Sequence, residues 1–570
     1  MNAAEAIVRM LAETGVRHIF GLPGDTSMDL YEAFYRHQDE ITHVLTRDER
    51  SASFMADAYG RVSGRMAVVE SPSGGGATYV VPGVAEAQGS STALLSLTTD
   101  TPVSEEGRGV LTELDQVALF RPVTKWSTRI NTPESAPEVL RRAIRTATSG
   151  RPGAVSLVLP ADVLTGHVDD DAVRGVPDLL ESPSYRTRPD PASITRAADM
   201  IDRASRPVIV AGGGVRVSGA WDELTTLAET LAIPVGTSIN GKGSVPETSP
   251  ISLGVVGGNG ARPYANDIVA GADLVVMIGT RTDSVTTLNW SLPRQAGPAV
   301  VHIDVDPWQP GNNYPETLGV VGDARLALRD LLEAVNTRSA AIAARRDWLE
   351  EVAALKAAYF DEAAARAAST SRPIKPQRVI GALRELLDPE TVIVADPGTP
   401  TPFISAEYPL RVPGRWTVIP RAHGGLGYAI PAVVGAYFAA DGRRVVGLCG
   451  DGSFGMSTGE LETISRLGLP ITLIQFNNAA FGWIKELQHL YHGERYLSVD
   501  FNAVDYPAIA RGFGFTSVQV SDPEDVQPVL ARALDSGQPY FVDIVSESPI
   551  TETPPVAAWQ QAEALRGVTR

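Results

Sequence analysis

The sequence predicts an α/β protein with three domains, each built on a mainly parallel sheet that helices cover on both faces. Three observations predict this class. The 570 residues exceed a typical domain of about 150 residues several-fold. Short apolar runs such as "STALLSLTTD" and "ADLVVMIGTR" alternate with helical patterns along the chain, which is typical of parallel sheets. The 53 glycines and 41 prolines are spread evenly, as many tight turns between strands and helices require.

The domains follow one another along the chain. The first is predicted over residues 1–168, with strand patterns in "RHIFGLPG", "RMAVVESPSGGG", "STALLSLTTD" and "GAVSLVLPADV". Residues 165–193 are rich in Asp, Pro and Ser and predict a surface linker. The central domain is predicted over 190–336. The third is predicted over 373–550, with strands in "TVIVADPG", "RRVVGLCGDG", "PITLIQFNN" and "PYFVDIV", and 551–570 form a C-terminal tail.

The net charge and the cysteine content indicate which partners and which cellular compartment to expect. The formal net charge of -18 disfavours nucleic acid, because phosphate backbones attract basic surfaces. Cys449 is the only cysteine, so no internal disulfide can form and a reducing cytoplasm is expected. Its apolar neighbours predict a place in a strand core. The opening residues read as an amphipathic helix, and no apolar stretch approaches the ~20 residues that span a bilayer, so no membrane partner is expected.

Polar residues follow two neighbouring strand patterns in the third domain. "RRVVGLCGDG" ends in Gly450, Asp451 and Gly452, and "PITLIQFNN" ends in Asn477 and Asn478. Ligands of open parallel sheets lie beyond the carboxyl ends of the strands, where glycines let the backbone approach them. One carboxylate, one carboxamide oxygen and one backbone carbonyl form half an octahedral shell, which suits a magnesium ion bound to a diphosphate. Taken separately, the two motifs are also common turns.

"GDG", then 24 residues, then "NN" resembles the cofactor signature of thiamine-diphosphate enzymes. Residues from about 1 to 550 resemble the group of acetolactate synthase, pyruvate oxidase and benzoylformate decarboxylase. That group has Rossmann-like pyrimidine-binding, central and diphosphate-binding domains, in this order. The resemblance implies that Asp451, Asn478 and the carbonyl of Ala480 bind magnesium. It also assigns eight residues to the cofactor site: Gly24, Gly424, Leu426, Gly450, Gly452, Ser453, Phe481 and Gly482.

Glu49, in "VLTRDERSASFMADAYGRVSG", takes the place of the family's activating glutamate. The resemblance implies that its carboxyl group protonates the aminopyrimidine ring of the cofactor. Burial in an apolar crevice would raise the pKa of such a group and suit proton exchange near neutrality. Without the resemblance, the Asp-Glu-Arg run reads as a solvated helix start. The family often has His before this glutamate, whereas this chain has Asp48.

The stretch "HGGLGYAIPAVVGA" resembles the family segment that holds the cofactor bent. The resemblance places Leu426 beneath the bend and the Gly424 carbonyl next to the amino group of the cofactor. The alternative is a glycine-rich turn before a core helix. His423 either reaches the site as a catalytic group or is an ordinary turn histidine. Sites of this family form between two chains, which implies a homodimer or homotetramer with Glu49 from one subunit and Asp451 from the other.

The segments that choose between the reactions of the family depart from its pattern. Acetolactate synthases usually have Phe-Gln-Glu where this chain has "LTE" at 111–113. They usually have Gln-Trp where it has Glu486 and Leu487, with Trp483 one turn earlier. The candidate substrate contacts are therefore Thr112, Trp483 and Leu487.

Two acidic residues also occupy positions that vary within the family. Glu70 stands where benzoylformate decarboxylase has an active-site His. Asp25, in "GLPGDTS", stands where some decarboxylases and pyruvate oxidases also have Asp. There it either relays protons as a catalytic group or caps the helix "TSMDLYEAFY".

The central domain is ambiguous about flavin. "VAGGG", "GTRTDS" and "HIDVDP" resemble flavin-contacting segments of acetolactate synthase, but "GGNGA" replaces the usual Met-His-Gly stretch. The alternative is a Rossmann-like domain with an empty pocket. Five residues are the candidates for binding FAD: Gly213, Gly214, Arg281, Asp304 and Asp323.

We therefore expect an enzyme that uses thiamine diphosphate and Mg²⁺ to decarboxylate a 2-oxo acid and join the product to a second carbonyl compound, as acetolactate synthase does. The alternatives are simple decarboxylation, as in benzoylformate decarboxylase, and flavin-dependent oxidation, as in pyruvate oxidase. A non-catalytic relative that binds the cofactor as a scaffold is a third alternative. Intact Glu49, Asp451 and Asn478 argue against it.

Overall fold

A computed structural model describes residues 1–337 and 340–569 of the chain, and these residues contain three six-stranded sheets. The predicted α/β class, with a parallel sheet in each third of the chain, is confirmed. The chain divides into two compact units. The first consists of Met1–Tyr185, Pro420–Val445 and Ser457–Leu469, and the second of Arg186–Ile419, Val446–Met456 and the residues from Pro470 onward.

The N-terminal sheet lies in the first unit and has the strand order β2-β1-β3-β4-β6-β5. Its strands, parallel throughout, are β1 (His18–Gly21), β2 (Thr42–Leu45), β3 (Ala67–Ser71), β4 (Leu94–Asp100), β5 (Trp126–Arg129) and β6 (Ala154–Pro160). The helices are α1 (Ala3–Thr14), α2 (Met28–Arg36), α3 (Glu49–Ser63), α4 (Gly75–Tyr79), α5 (Val81–Ser90), α6 (Gln116–Phe120), α7 (Ala136–Thr148) and α8 (Ala161–Thr165). The central strands are buried on both faces, which explains their unbroken apolar runs.

The segment that was predicted to be a surface linker, 165–193, is partly packed. Val168 and Val173 are fully buried and, with Leu179, belong to the core of the N-terminal sheet. Most other residues of the segment are exposed or half-buried, so it runs over the surface and is anchored by these apolar side chains. These apolar residues are isolated among Asp and Pro residues, so they form no period that the sequence could reveal.

The central sheet lies in the second unit and has the strand order β12-β11-β10-β7-β8-β9, again parallel. Its strands are β7 (Pro207–Ala211), β8 (Val235–Thr237), β9 (Ser252–Val255), β10 (Leu274–Ile278), β11 (Ala299–Asp304) and β12 (Thr317–Val321). The helices are α9 (Pro191–Arg203), α10 (Gly213–Ser218), α11 (Trp221–Leu231), α12 (Pro263–Ala270), α13 (Ala324–Ala334) and α14 (Ala341–Ala367). The longest of these helices, α14, has charged residues along its length. No helix in the described part of the chain is long and apolar enough to cross a membrane.

The C-terminal sheet has the order β14-β13-β15-β16-β18-β17, which is the strand order of the N-terminal sheet. Its strands are β13 (Val392–Ala395), β14 (Thr417–Val418), β15 (Val445–Gly450), β16 (Thr472–Asn477), β17 (Thr516–Val520) and β18 (Tyr540–Val545). Cys449 is fully buried in β15, as predicted. Because β15 and β16 are parallel neighbours, their carboxyl ends share one edge of the sheet.

Nine α-helices are described after residue 373. They are α15 (Pro376–Leu386), α16 (Pro400–Glu407), α17 (Ala429–Ala439), α18 (Asp451–Ser457), α19 (Glu460–Arg466), α20 (Gly482–Tyr491), α21 (Tyr506–Gly512), α22 (Val526–Leu534) and α23 (Ala557–Thr569). By the division into units, α17 and α19 belong to the first unit. The segment predicted as a C-terminal tail, 551–570, contains α23.

Candidate active site

Asp451 and Asn478 meet at the carboxyl edge of the C-terminal sheet. Gly450 pairs with Phe476 in the β15–β16 register, so the residues that follow leave the sheet side by side. One carboxylate oxygen of Asp451 accepts a hydrogen bond from the Asn478 backbone N–H at 3.0 Å, and the other accepts one from the Gly452 N–H at 2.8 Å. The structure thus brings together the two strand ends that the sequence predicts to meet.

The donor set at this edge fits a hard cation. The Asn478 Oδ1 atom is buried, and no hydrogen-bond partner for it exists among the described residues. Asp451 is only 4% exposed, and burial raises the pKa of its carboxyl group to about 6. The Ala480 carbonyl accepts one hydrogen bond, from the Gly482 N–H at 2.8 Å, which leaves a second lone pair. A cation would satisfy the amide oxygen and favour the ionised carboxylate.

This arrangement differs from a cluster of side-chain ligands. Within residues 1–337 and 340–569, no group of three or more His, Cys, Asp and Glu side chains could hold a metal ion. The set built on Asp451 has one carboxylate, one amide and one backbone carbonyl. Magnesium accepts such sets because water and phosphate oxygens complete its shell.

The positions around this edge require glycine for different structural reasons. A Cβ on Gly450 would meet no atom within 4 Å, so open space adjoins the backbone there, and its contact with a ligand stays a prediction. A Cβ on Gly452 would lie 2.6 Å from the Phe481 ring, and one on Gly482 would lie 2.9 Å from the Asn478 side chain. Gly452 and Gly482 are therefore explained by protein packing, whatever else they contact.

The loop after β16 has a strained backbone that the sequence did not indicate. Ala479 has a φ of 53°, in the left-handed region that costs a non-glycine residue about 1–2 kcal/mol. Its N–H donates to Asn477 Oδ1 at 3.2 Å. Phe481 then packs edge-on against Phe501, with ring centroids 4.7 Å apart. Ser453, which follows Gly452 in the first turn of α18, is also buried.

Glu49 is buried at the start of α3, in the first unit. The helix is capped by Asp48, whose side chain accepts hydrogen bonds from the N–H groups of Arg50 at 2.7 Å and Ser51 at 3.4 Å. Glu49 itself is 7% exposed, so the interpretation as a solvated helix start is wrong. Burial raises the pKa of Glu49, and the neighbouring carboxylates of Asp48 and Glu70 add to the rise. A raised pKa is what the predicted proton donor requires.

A chain of hydroxyl groups lies at the carboxyl edge of the N-terminal sheet. Thr112 Oγ1 is 2.7 Å from Ser73 Oγ, which accepts a hydrogen bond from Thr26 Oγ1 at 3.2 Å. Thr26 Oγ1 lies 2.8 Å from Thr99 Oγ1. The structure thus places the candidate substrate residue Thr112 at the end of a chain with three other hydroxyls. Sequence analysis missed these three, since isolated Ser and Thr residues carry no pattern of their own.

Asp25 is exposed and begins a 3-10 turn, Asp25–Ser27, that precedes α2. Gly24 and Ser27 close this turn. The Gly24 N–H donates to Ser27 Oγ at 2.9 Å, and the Ser27 N–H donates to the Gly24 carbonyl at 2.9 Å. Ser27 occupies the cap position of α2. The helix-cap alternative for Asp25 is therefore wrong, and its proton-relay role stays a prediction.

Glu86, which sequence analysis missed, holds the turn before α17. Its carboxylate accepts hydrogen bonds from the backbone N–H groups of residues 422–424, at 3.2, 2.7 and 3.0 Å. Arg61 contacts the same carboxylate at 2.6 Å and also pairs with Asp57 at 2.9 Å. Burial alone would raise the pKa of Glu86, but Arg61 and the N–H groups outweigh it and lower this pKa to about 2.

This turn carries the predicted cofactor contacts of the first unit. Gly424 has a φ of 74°, and a Cβ there would meet no atom within 4 Å. The His423 side chain is exposed and Leu426 is half-buried. Tyr428 anchors the far end of the turn, because its hydroxyl donates to Asp57 at 2.6 Å. The roles of His423, Gly424 and Leu426 toward the cofactor stay predictions.

We expect Glu86→Gln to destabilise the fold by about 3 kcal/mol at pH 7, because it leaves Arg61 buried beside a neutral amide. The pKa of Glu86 is lowered in the folded state, so its stabilising effect is present above the unfolded pKa and is lost as pH falls toward 2. Urea unfolding at pH 7 and pH 3 measures the effect. The gap between the variant and the wild type should narrow at pH 3, and an equal gap at both would contradict the assignment.

The candidate substrate residues on α20 pack against α23, both in the second unit. The rings of Trp483 and Trp559 lie 4.2 Å apart, and Leu487 joins the same cluster. Glu486 lies between Trp483 and Leu487 in the sequence of α20 and is fully buried. Burial, together with the negative charge of Glu563, raises the pKa of Glu486 to about 7. Contact of Trp483 and Leu487 with a substrate stays a prediction.

Two of the candidate flavin-binding residues form hydrogen bonds with other residues of the protein. Asp323 caps α13 and accepts hydrogen bonds from Arg186 and Ser218, both at 2.8 Å. Asp304 accepts one from the Asp306 N–H at 2.9 Å. The remaining candidates also have defined places: Gly213 and Gly214 begin α10, a Cβ on Gly214 would lie 2.6 Å from Gly279, and Arg281 is half-buried after β10.

Three family matches cover most of the chain. Residues 1–119 match the family described as "Thiamine pyrophosphate enzyme, N-terminal TPP binding domain", residues 194–331 match its central domain, and residues 396–544 match its C-terminal TPP binding domain. The chain belongs to the thiamine pyrophosphate enzyme family, and the resemblance that the sequence motifs indicated is confirmed.

Curated relatives cover almost the full length of the chain. It is 36% identical to the "Probable acetolactate synthase large subunit" of Methanocaldococcus jannaschii, over 96% of this chain and 92% of that protein. It is 33% identical to the "Acetolactate synthase isozyme 3 large subunit" of Escherichia coli, over 95% of this chain and 94% of that one. It is 30% identical to the "Acetolactate synthase" of Mycobacterium bovis, over 100% of this chain and 92% of the relative.

Proposed function

We propose that the protein is a thiamine-diphosphate- and Mg²⁺-dependent enzyme that decarboxylates a 2-oxo acid and joins the remaining fragment to a second carbonyl compound, as acetolactate synthase does. The observation that carries this proposal is the meeting of Asp451 with the unsatisfied Asn478 amide oxygen at adjacent strand ends. Relatives named acetolactate synthase, 30–36% identical along the whole chain, support carboligation over the other reactions of the family.

The residues of each unit take distinct roles in this proposal. Asp451, Asn478 and the Ala480 carbonyl would hold Mg²⁺, which binds the diphosphate. When bound, thiamine diphosphate supplies the electron sink for decarboxylation. Glu49, buried with a raised pKa, would hold a proton for the aminopyrimidine ring and take it back later in the cycle. The Gly424 carbonyl, on the turn that Glu86 fixes, would accept a hydrogen bond from the cofactor's amino group.

The proposal includes a homodimer or homotetramer in the cytoplasm, with Glu49 and Asp451 of each site supplied by different subunits. The family resemblance supports shared sites, and the single cysteine supports a reducing compartment. Sedimentation of the purified protein tests the assembly. A monomer that retains full turnover would contradict it.

The proposal contains no step that uses FAD. Asp323 and Asp304 are already hydrogen-bonded within the protein, which supports an empty flavin pocket. Absorbance near 450 nm in the purified protein, with and without added FAD, tests this part. A stable yellow complex would contradict the empty pocket and favour the alternative in which the central domain binds FAD.

A panel of 2-oxo acids tests the reaction. Each is incubated with protein, thiamine diphosphate and Mg²⁺, with and without aldehyde or 2-oxo acid acceptors, and the products are identified by mass spectrometry. A product with a new carbon–carbon bond, formed with release of carbon dioxide, supports the proposal. A free aldehyde as the sole product would assign a simple decarboxylase, and no turnover despite cofactor binding would assign a scaffold.

A further inference from the structure

The chain of hydroxyl groups that ends at Thr112 has one direction, because each hydroxyl has one proton to donate. Thr112 Oγ1 donates to the Leu111 carbonyl at 2.5 Å, so Ser73 Oγ, 2.7 Å away, is the donor in its contact with Thr112. Thr26 Oγ1 donates to Ser73, so Thr99 Oγ1 donates to Thr26. Each proton of the chain therefore points toward Thr112, and the proton of Thr112 points to the backbone.

Thr112 consequently presents an oxygen lone pair and a methyl group to its surroundings. Its hydroxyl oxygen has two lone pairs, one of which accepts the proton of Ser73. The side chain of Thr112 is exposed, so the second lone pair can meet a ligand. A ligand group can donate a hydrogen bond to this oxygen but receives none from it. A carboxylate, which only accepts hydrogen bonds, therefore has no partner in Thr112.

The turn after β3 brings this hydroxyl to the proposed proton donor. Gly74 has a φ of 62°, and a Cβ there would lie 2.6 Å from the Cβ of Thr112. A Cβ on Gly76 would lie 3.0 Å from Glu49 Oε1. Within four residues, 73–76, the turn thus meets both Thr112 and the carboxyl group that the proposed reaction uses. All of these residues belong to the first unit.

The loop that carries Thr112 is held in place by two carboxylates. Asp162 accepts hydrogen bonds from the N–H groups of 103–104, at 3.0 and 3.3 Å. Glu113 accepts them from three N–H groups of 107–110, at 2.5, 3.0 and 3.2 Å. Thr112 itself has a φ of 71°, which a β-branched residue seldom adopts. The position of its hydroxyl is therefore set by the protein.

The charge of this loop acts in the same sense as the hydroxyl. Hydrogen bonds from backbone N–H groups, that of Gly107 first, lower the pKa of Glu113, so the residue after Thr112 is negatively charged at neutral pH. An anionic ligand group at Thr112 would meet this charge as well as the lone pair. Between residues 102 and 115, four acidic residues stand against one basic residue: Glu105, Glu106, Glu113 and Asp115 against Arg108.

We propose that Thr112, fixed by Ser73, selects a neutral aldehyde over a second 2-oxo acid as the acceptor. The inference rests on the proposed function, since it concerns the second carbonyl compound of that reaction. The donor acid releases carbon dioxide, its remaining carbonyl carbon forms the new bond to the aldehyde carbon, and the aldehyde oxygen takes up one proton from solvent. Thr112 contacts the acceptor, whereas Ser73 acts through Thr112 and is a positioning residue.

A competition between two matched acceptors tests this selection. Propanal and 2-oxobutanoate have the same alkyl group and differ in the carboxylate. Both are offered at equal concentration to the full-length protein with thiamine diphosphate, Mg²⁺ and the donor 2-oxo acid, and mass spectrometry separates the products. We expect kcat/KM for propanal to exceed that for 2-oxobutanoate at least about tenfold. Equal use, or a preference for 2-oxobutanoate, would overturn the inference and leave the proposed function intact.

Variants of the two residues connect the preference to the hydroxyl. Thr112→Val keeps the shape of an exposed side chain and removes its lone pairs, and Ser73→Ala frees the Thr112 hydroxyl to turn and donate. The preference for propanal should fall about tenfold in both, and Thr112→Ser should retain it. Ser135→Ala is the matched control, because the Ser135 hydroxyl donates to a backbone carbonyl at 2.7 Å outside the chain. An unchanged preference in Thr112→Val, or an equal fall in the control, would overturn the inference.

The positioning by Ser73 can be measured without any reaction. In cofactor-free full-length protein with labelled threonine methyl groups, the NMR signal of Thr112 is assigned by its loss in Thr112→Val. Its three-bond couplings report the χ1 torsion, which should be one rotamer in the wild type and an average of several in Ser73→Ala. A single unchanged rotamer in Ser73→Ala would overturn the role of Ser73. Wild-type protein that forms no carbon–carbon bond would defeat the proposed function, while these couplings still decide whether Ser73 positions Thr112.

Discussion

Replacing Glu49 by Gln should lower kcat for 2-oxo acid decarboxylation by about 10²–10⁴-fold while thiamine diphosphate still binds. Glutamine keeps the size of the side chain at the start of α3 but cannot hold or return the proton. Because Asp48 provides the helix cap, the fold should tolerate the change. Release of carbon dioxide and cofactor titration by intrinsic fluorescence measure the two quantities separately.

Glu134→Gln is the matched control for this variant. Glu134 also lies near the start of a helical segment, but it is exposed. Its substitution should leave turnover and cofactor binding unchanged. Turnover in Glu49→Gln that equals that of this control would contradict the role of Glu49. Loss of cofactor binding together with turnover would assign Glu49 to binding instead of proton transfer.

Replacing Asp451 by Ala should weaken Mg²⁺-dependent binding of thiamine diphosphate at least about 100-fold. The substitution removes the only carboxylate of the proposed set and also the acceptor that holds the Asn478 N–H. Calorimetric titration in Mg²⁺ and in a chelator measures the loss. Asp361→Ala, on the exposed side of α14, is the control and should bind like the wild type.

The pH dependence of this binding follows from the same residue. Burial raises the pKa of Asp451 to about 6 without a cation, so protons should compete with Mg²⁺ at lower pH. We expect the apparent affinity for Mg²⁺ and thiamine diphosphate to fall as pH drops below about 6. Affinity in Asp451→Ala that matches the wild type at every pH would defeat the proposed magnesium site.

The sequence predicts the parts of this molecule that have a period or a fixed spacing. Buried parallel strands appear as short apolar runs, so the three sheets could be located. Adjacent parallel strands end at one edge, which let Asp451 and Asn478 be placed together although 27 positions separate them. Glu49 has no such pattern, and only its resemblance to a family segment selected it.

Contacts between distant parts of the chain could not be predicted in this way. Glu86 holds backbone groups more than 330 positions later in the sequence, and a lone glutamate in a helix gives no sign of this. The hydroxyl chain of Thr26, Ser73, Thr99 and Thr112 likewise joins four separate segments. Asp25 shows the converse case: its sequence suggests a helix cap, but the residue before α2 is Ser27, whose side chain makes no cap hydrogen bond.

The identical connectivity of the first and last sheets bears on the history of the chain. Two sheets of six strands that follow one path, without recognisable sequence repetition, are what an ancient gene duplication leaves after the side chains have diverged. In that ancestry β3 and β15 descend from one strand. The ends of these two strands have since taken different residues, because β3 ends in Glu70 and Ser71 whereas β15 ends in Gly450 and is followed by Asp451.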